Sequence, residues 1–307
     1  MQCPGACSTD LYSLDTADVL VLLPKRNTRL EASSTVPHRH RVLSKTRFSA
    51  LLAGTRKKAR IAERTFFVDG WRWLRESLEL SGPPLCVLAV ADAARTDDEA
   101  AILERAKKAA TEYYEATPEQ LAKLTGAVTP PGVAALVRWN PAAPAEIAAR
   151  APAEDPALVV ALDAIGDPGN AGTILRTADW FGAAGVVLGP GSVEPTNPKT
   201  LRATMGSIFH LPIAPVESLP AALAALKGAG FAAVGAALDG EPLAKFAWPR
   251  RAVIVVGNEA SGIGPEVRAA LDARVRIPGY GHAESLNAAI AAGILMADWR
   301  ARAGGGV

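Results

Sequence analysis

Long hydrophobic runs are missing from this chain of 307 residues. No apolar stretch approaches the ~20 residues that cross a bilayer, so a helical membrane anchor is not expected. The early run Val19–Leu23 is short and follows Asp10, Asp15 and Asp18, where a secretory signal needs positive charge. Cysteine is scarce. Cys3, Cys7 and Cys86 supply no disulfide framework, and the C-x3-C spacing of the first two has no second ligand pair to complete a metal site. The expectation is a reducing compartment, the cytoplasm, with no membrane association and no metal. Nucleotide fingerprints are also missing. GDPGNAG sets Gly166, Gly169 and Gly172 at G-x-x-G-x-x-G rather than the dinucleotide turn G-x-G-x-x-G, and no G-x-x-x-x-G-K-S/T occurs. A nicotinamide enzyme and a P-loop ATPase are therefore disfavoured.

What is present is apolar: 49% of the residues, enough for a sizeable core, and at this length two domains are the better prior. The net charge of +2 hides an uneven distribution. Residues 1–40 lack periodicity and are rich in Pro, Ser, Thr and charge, which predicts a flexible leader. Basic residues then crowd together. Arg41, Lys45, Arg47, Arg56, Lys57, Lys58, Arg60 and Arg64 stand within 24 residues, opposed only by Glu63. Such a run is either a solvated helix face or a patch that tracks phosphates, because each neutralised phosphate releases counterions and adds affinity independent of sequence.

Strand and helix signals alternate from Thr65–Val68, through Leu85–Val90, to Val133–Val137, giving a small α/β unit over residues 41–139. Pro141, Pro144, Pro152 and Pro156 mark residues 140–157 as a linker around a short helix. A second unit covers residues 158–307. Strands are predicted at Leu158–Asp163, Gly185–Leu188, Phe231–Ala236, Ala252–Val256 and Arg274–Ile277, with an extended segment at Ile208–Ile213. Helices are predicted over Ala171–Phe181, Lys199–Gly206, Leu219–Ala229, Pro265–Leu271 and from Ser285 onward. This alternation predicts a parallel sheet covered on both faces. Three polar loops then fall at the carboxyl ends of strands: Asp163–Arg176, Gly257–Pro265 and Pro278–Asn287. Open parallel sheets bind ligands at that edge, and glycine lets backbone groups approach closely.

The segments NAGTILRTADWFGAAGVVL (Asn170–Leu188), VVGNEASGIGPEV (Val255–Val267) and RIPGYGHAESLNAAIAAGIL (Arg276–Leu295) resemble, in order and spacing, the three motifs of the SpoU/TrmH family. These are ribose 2′-O-methyltransferases of the SPOUT class that act on ribosomal or transfer RNA. The segment KTLRATMGSIFHLPI is similar to that family's middle region, and residues 42–139 resemble the small RNA-binding domain that many members carry ahead of the catalytic one. The resemblance implies an α/β fold, with a SPOUT-type trefoil-knotted parallel-sheet domain preceded by a small α/β RNA-binding domain. It also implies S-adenosylmethionine as methyl donor and a homodimer with active sites at the subunit interface. General topology rules alone would draw an ordinary open sheet, because chains rarely thread their own loops.

Carried over by position, Asn170 and Arg176 stand at the functional asparagine and arginine of the first motif. Glu259 stands at the acidic position of the second, and Ser285 and Asn287 at the polar pair of the third. Gly257, Ile277 and Leu286 match positions whose backbone holds the adenosyl cofactor. Arg41, Lys45, Arg47, Arg56, Lys57, Lys58 and Arg60 are the expected RNA-binding residues. One departure is local: after Ile277-Pro278 the family commonly has Met-x-Gly, whereas this chain has Gly279-Tyr280-Gly281 and then His282. Simpler roles compete at single positions. Asn170 and Ser285 read equally well as helix N-caps, Arg176 as a solvated arginine, and Glu259 as a carboxylate serving its own turn.

The implied reaction is methylation of a ribose 2′-oxygen. Ribosomal RNA, 23S in particular, is expected over transfer RNA, because the extra amino-terminal domain is common among the rRNA-modifying members. A transfer-RNA enzyme is one alternative, and a non-catalytic RNA- or ribosome-binding paralogue is another. The joint presence of Asn170, Arg176, Glu259, Ser285 and Asn287 speaks against the paralogue.

Overall fold

The computed structural model describes residues 41–303, so the leader expected over residues 1–40 lies outside the described residues. Two short helices open the described chain, α1 (Lys45–Gly54) and α2 (Lys57–Glu63). Ser44 caps α1 by accepting from the Arg47 amide, and Arg64 in the left-handed conformation ends α2. There follow β1 (Thr65–Asp69), α3 (Trp71–Leu80), β2 (Cys86–Ala89), α4 (Asp97–Ala109), β3 (Glu112–Glu115), α5 (Pro118–Thr125) and β4 (Val133–Arg138). The strands form one sheet in the order β1-β4-β2-β3. β4 is antiparallel to both neighbours, while β2 and β3 are parallel. Sequence reasoning missed β3, because glutamates flank its two tyrosines and acidic residues are depleted in strands.

The Pro/Ala-rich stretch after β4 is packed rather than loose. It forms α6 (Pro144–Ala149), Ile147 is fully buried, and the Ala142 amide donates to the Ile213 carbonyl. A Cβ on Gly185 would fall 2.7 Å from Ile147 Cγ1, so a glycine there lets α6 close onto the sheet.

The second sheet is built from β5 (Ala157–Asp163), β6 (Gly185–Leu188), β7 (Ile213–Pro215), β8 (Ala232–Pro242), β9 (Arg251–Gly257) and β10 (Ala273–Arg276). Between them run α7 (Pro168–Trp180), α8 (Pro198–Thr204), α9 (Leu219–Gly228) and α10 (Pro265–Ala269), and α11 (Ala288–Arg302) closes the described chain. The order is β10-β8-β9-β5-β6-β7, and every pairing is parallel. β5 is buried along its whole length, as a central strand covered on both faces must be. The cores on the two sides confirm the layers. Ile174, Leu175, Leu201 and Trp299 of α7, α8 and α11 pack on one face, and Ile147, Leu223 and Val267 of α6, α9 and α10 on the other.

Several expectations are corrected here. The extended segment Ile208–Ile213 is not extended: Met205 and Gly206 turn left-handed, Ser207–Phe209 forms a single 3-10 turn, and β7 begins only at Ile213. α7 starts at Pro168 rather than Ala171, because Asp167 caps it. α11 starts at Ala288 rather than Ser285, because Asn287 caps it. β8 runs to Pro242, past the expected end at Ala236, and its pairing with β10 shifts register between Arg274 and Val275.

The two sheets share an apolar seam. Phe209, from the 3-10 turn, contacts Phe66 and Trp73 with ring centroids 6.0 and 5.9 Å apart. Polar contacts also join the two units: Arg60 pairs with Glu194, both side chains nearly excluded from solvent, and Arg202 Nη1 donates to the Thr125 carbonyl at 3.3 Å. Removing one member of a buried pair strands the other charge, which costs about 3–5 kcal/mol. Glu194→Ala should therefore lower the free energy of unfolding by about 3 kcal/mol in urea titration. A loss below about 1 kcal/mol would show the pair to be no stronger than a surface one.

Candidate active site

Three chain segments meet at the carboxyl edge of the second sheet, and each is shaped by a local constraint. At the end of β5, the buried Asp163 accepts from the Gly264 amide at 2.7 Å and so anchors the loop that follows β9. Ala164 adopts a positive φ of 57°, and its carbonyl accepts from Asn258 Nδ2 at 2.9 Å. Asn258 Oδ1 in turn accepts from the amides of Ala260 and Ser261, which folds the residues around Glu259 into a tight turn. Gly257 is obligatory at the start of that turn. A Cβ there would lie 2.3 Å from the Gly262 carbonyl carbon and 2.4 Å from the Ile263 nitrogen.

The caps decide what the candidate side chains are free to do. Asp167 accepts from the Asn170 amide at 2.7 Å, so Asp167 caps α7 and Asn170 is the third residue of the helix. Its carboxamide is released for other work. Asn170 Nδ2 donates to Glu259 Oε1 at 2.6 Å, and its Oδ1 accepts from Asn287 Nδ2 at 2.9 Å. Asn287 caps α11, accepting on Oδ1 from the Ala289 and Ile290 amides. The cap competing with function at Ser285 is thus supplied by Asn287. Ser285 itself is exposed in the segment leading to α11.

The structure brings Asn170, Glu259 and Asn287 into one hydrogen-bonded chain and places Arg176 elsewhere. Arg176 is exposed six residues further along α7, about 9 Å along the helix axis. Among the described residues no hydrogen bond or ion pair joins it to the cluster. α7 and α11 run side by side in the same direction, since Asn170 meets Asn287 near their starts and Thr177 lies beside Gly293 further on. Two helix amino termini therefore face one edge, and their dipoles favour an anion there. Around Arg176 the surface is apolar. Trp180, one turn on, is 83% exposed, and Ile290 of α11 is 55% exposed.

The residues expected to hold an adenosyl group line the same edge. Ile277 and Gly257 are half-buried, and Leu286 is 47% exposed. Gly279 and Gly281 have nothing within 4 Å of where a Cβ would sit, so open space borders this backbone. Open room and apolar side chains beside this backbone together suit a flat base with a polar sugar.

The basic segment divides. Arg41, Lys45, Arg56, Lys57 and Lys58 are exposed, whereas Arg47 is half-buried and pairs with Glu112. Arg60 is corrected: at 8% exposure it serves Glu194 and the Thr55 carbonyl, not a solvent-facing patch. Cys86 is no nucleophile. Burial pushes its thiol up to about 12, with the Glu112 charge adding to the effect. Sequence reasoning marks Asn258 as a polar residue of the turn and the loop from Asp163 onward, but assigns no positioning role to Asp163, Asp167 or Asn258. The signals for them are an acid or amide at the ends of β5 and β9 and an Asp-Pro pair at the start of α7.

Gly257→Ala should free the turn that carries Glu259, at a cost of about 1–3 kcal/mol for the forced overlap. Thermal unfolding measures the loss, and hydrogen exchange at the Gly262 amide, which donates to the Asn258 carbonyl, reports the turn itself. Wild-type exchange at that amide would sink the prediction.

Comparisons with known proteins agree with this architecture. Residues 157–297 match the SpoU rRNA methylase family, and residues 68–141 match the family described as RNA 2′-O ribose methyltransferase substrate binding. The 23S rRNA (guanosine(2553)-2′-O)-methyltransferase RlmP of Bacillus subtilis is 34% identical over 241 residues, covering 78% of this chain and 90% of that protein. Among solved structures, the AdoMet-bound rRNA methyltransferase of Sinorhizobium meliloti superposes with a TM-score of 0.75 at 28% identity, over 85% of this chain and 97% of its own. The SpoU methyltransferase AviRb of Streptomyces viridochromogenes, in complex with AdoMet, gives 0.70 at 28% identity over 83% and 97%. With a relative 34% identical over nearly its full length and residues 157–297 matching the methylase family, this chain belongs to the SpoU family and is an RNA methyltransferase.

Proposed function

We propose that the chain methylates the 2′-oxygen of a ribose in ribosomal RNA, using S-adenosylmethionine as donor and working as a cytoplasmic homodimer. The observation that carries the reading is the Glu259–Asn170–Asn287 chain at the carboxyl edge, beside backbone suited to an adenosyl group. Likeness to the Bacillus 23S rRNA enzyme over nearly its full length favours ribosomal over transfer RNA. The knotted path of the SPOUT class belongs to the same proposal.

When bound, the donor supplies a methyl group on a positively charged sulfur. Gly257, Ile277 and Leu286 would hold it, and Glu259, Asn170, Asn287 and Ser285 would serve the ribose. A 2′-hydroxyl is a weak nucleophile, so its proton must leave or its oxyanion be stabilised as the bond to carbon forms. A guanidinium is cationic and offers only donors, which makes Arg176 the stabiliser of charge and the clamp on phosphate. Glu259 is the proton acceptor, oriented by Asn170, and Ser285 hydrogen-bonds the ribose. The products are the methyl ether, the neutral thioether and a proton.

The distance between Arg176 and the cluster within one chain supports a shared site. Trp180 and Ile290 provide apolar area for a second copy, which would bring its own Arg176 to this chain's Glu259. Arg41, Lys45, Arg56, Lys57 and Lys58 contribute phosphate contacts, with Arg47 at their border.

Arg176→Ala should lower kcat by about 100- to 1000-fold, the usual cost of one oxyanion donor, with S-adenosylmethionine affinity unchanged by calorimetry. Near-normal turnover would remove Arg176 from the mechanism. Mixing inactive Arg176→Ala and Glu259→Gln chains should restore methyl transfer, since each mixed dimer retains one site with both groups intact. Continued inactivity in mixed dimers verified by mass would place both groups in one protomer's site. Mapping the methylated nucleotide in ribosomal and transfer RNA from a deletion strain decides the substrate.

A further inference from the structure

A second cleft, of about 510 Å³, opens at the seam between the two sheets, away from the edge that holds Glu259. It is bordered by Arg138 at the end of β4, Trp139 after it, Arg150 at the end of α6, and His210 just before β7. The cleft thus lies at the amino end of β7, and the candidate active site lies at the carboxyl ends of β5 and β9. The strands separate the two by roughly 15–20 Å.

Its chemistry is unbalanced. Arg138, Arg150 and His210 are exposed, and among the described residues none of them has an ion-pair partner. The one acid on the rim, Glu146, accepts from the Ala143 amide at 2.7 Å and, among the described residues, forms no ion pair with either arginine. Two guanidiniums against one carboxylate leave this concave site net positive and set up for phosphate, which guanidiniums bind bidentately. Trp139 adds a half-buried indole beside them, the element on which an unpaired base stacks. The cleft is also continuous with the basic segment. The Trp139 amide donates to the Arg64 carbonyl at 2.7 Å, and Arg138 pairs in register with Thr65, so the cleft begins where the run from Arg41 to Arg64 ends.

We infer that this cleft is a second RNA subsite, holding one unpaired nucleotide and its neighbouring phosphates on the strand that flanks the methylated ribose. The inference rests on the proposed RNA substrate and extends it: RNA follows the exposed cations of α1 and α2, passes Arg64, and is held at the seam by Arg138, Arg150 and Trp139. The target ribose is then presented a sheet's length away. Such a subsite contributes to recognition of the flanking strand and leaves the methyl-transfer step itself alone.

The test uses the full chain and a short fluorescein-labelled single-stranded RNA, with binding measured across a salt series. Arg138→Ala/Arg150→Ala should weaken binding and flatten the log–log salt slope by about 1.4, since each phosphate left unneutralised on a single strand removes about 0.7. Trp139→Leu should weaken binding about tenfold without changing the slope, as loss of a stacked base does. Both double-arginine positions are exposed, so that variant should melt like wild type, and any Trp139 variant is scored only at native circular dichroism. Arg56→Ala/Lys58→Ala tests the underlying reading on its own. If that pair flattens the slope and the Arg138/Arg150 pair does not, the cleft is overturned while the RNA reading stands. If neither changes binding, both fall. Altered oligomeric state with unchanged RNA affinity in the Arg138/Arg150 variant would make the cleft an interface between copies, and overturn the proposal.

Discussion

One carboxamide ties the site together. Asn170 reaches from the first turn of α7 to the turn after β9 on one side and to the cap of α11 on the other. The three segments come from residues separated by 89 and 117 positions in the chain, yet they meet through a single planar group. Everything beneath it serves that meeting. Asp163 ties the second segment to the end of β5, Asn258 shapes it, and Gly257 removes the one atom that would hold it open. The helices then carry the geometry into the core. A Cβ on Gly172 would lie 2.5 Å from both the Ala203 Cβ and the Thr200 carbonyl oxygen, so α7 presses on α8 without room for adjustment.

Much of this was legible from residue patterns. The apolar runs within β5 and β9 announce a sheet buried on both faces, and the polar clusters after them mark the ligand edge. What periodicity could not show is which polar residue does which job. Asp167, Asn170, Ser285 and Asn287 are all plausible caps by type, and only backbone geometry shows that Asp167 and Asn287 take the caps while Asn170 is released. Chain reversals were equally opaque. Nothing in the composition of Ile208–Ile213 distinguishes a strand from the 3-10 turn that left-handed Met205 and Gly206 impose.

The basic segment teaches a related lesson about charge. Read along the chain, Arg56 to Arg60 is one uniform run. Folded, it is split by the seam between the sheets, where Arg60 turns inward to Glu194 while Lys58 faces solvent. A charge run reports neither the face on which each residue lands nor the distant acid that waits for one of them. Glu194 is 134 residues away from the arginine it neutralises. The same folding leaves Arg138 and Arg150, isolated in the sequence, on one cleft.

The cap on α11 has a consequence for the sense of the whole polar network. Helix amides can only donate, so the Asn287 oxygen must face Ala289 and Ile290, and its nitrogen must face outward. That nitrogen needs an acceptor, which sets the Asn170 oxygen toward it and the Asn170 nitrogen toward Glu259. Neither amide can flip without setting donor against donor. The orientation of every proton in the chain is thus dictated by the direction of one helix backbone. The residue at its far end is required to be an acceptor, and a carboxylate is the side chain that is nothing else.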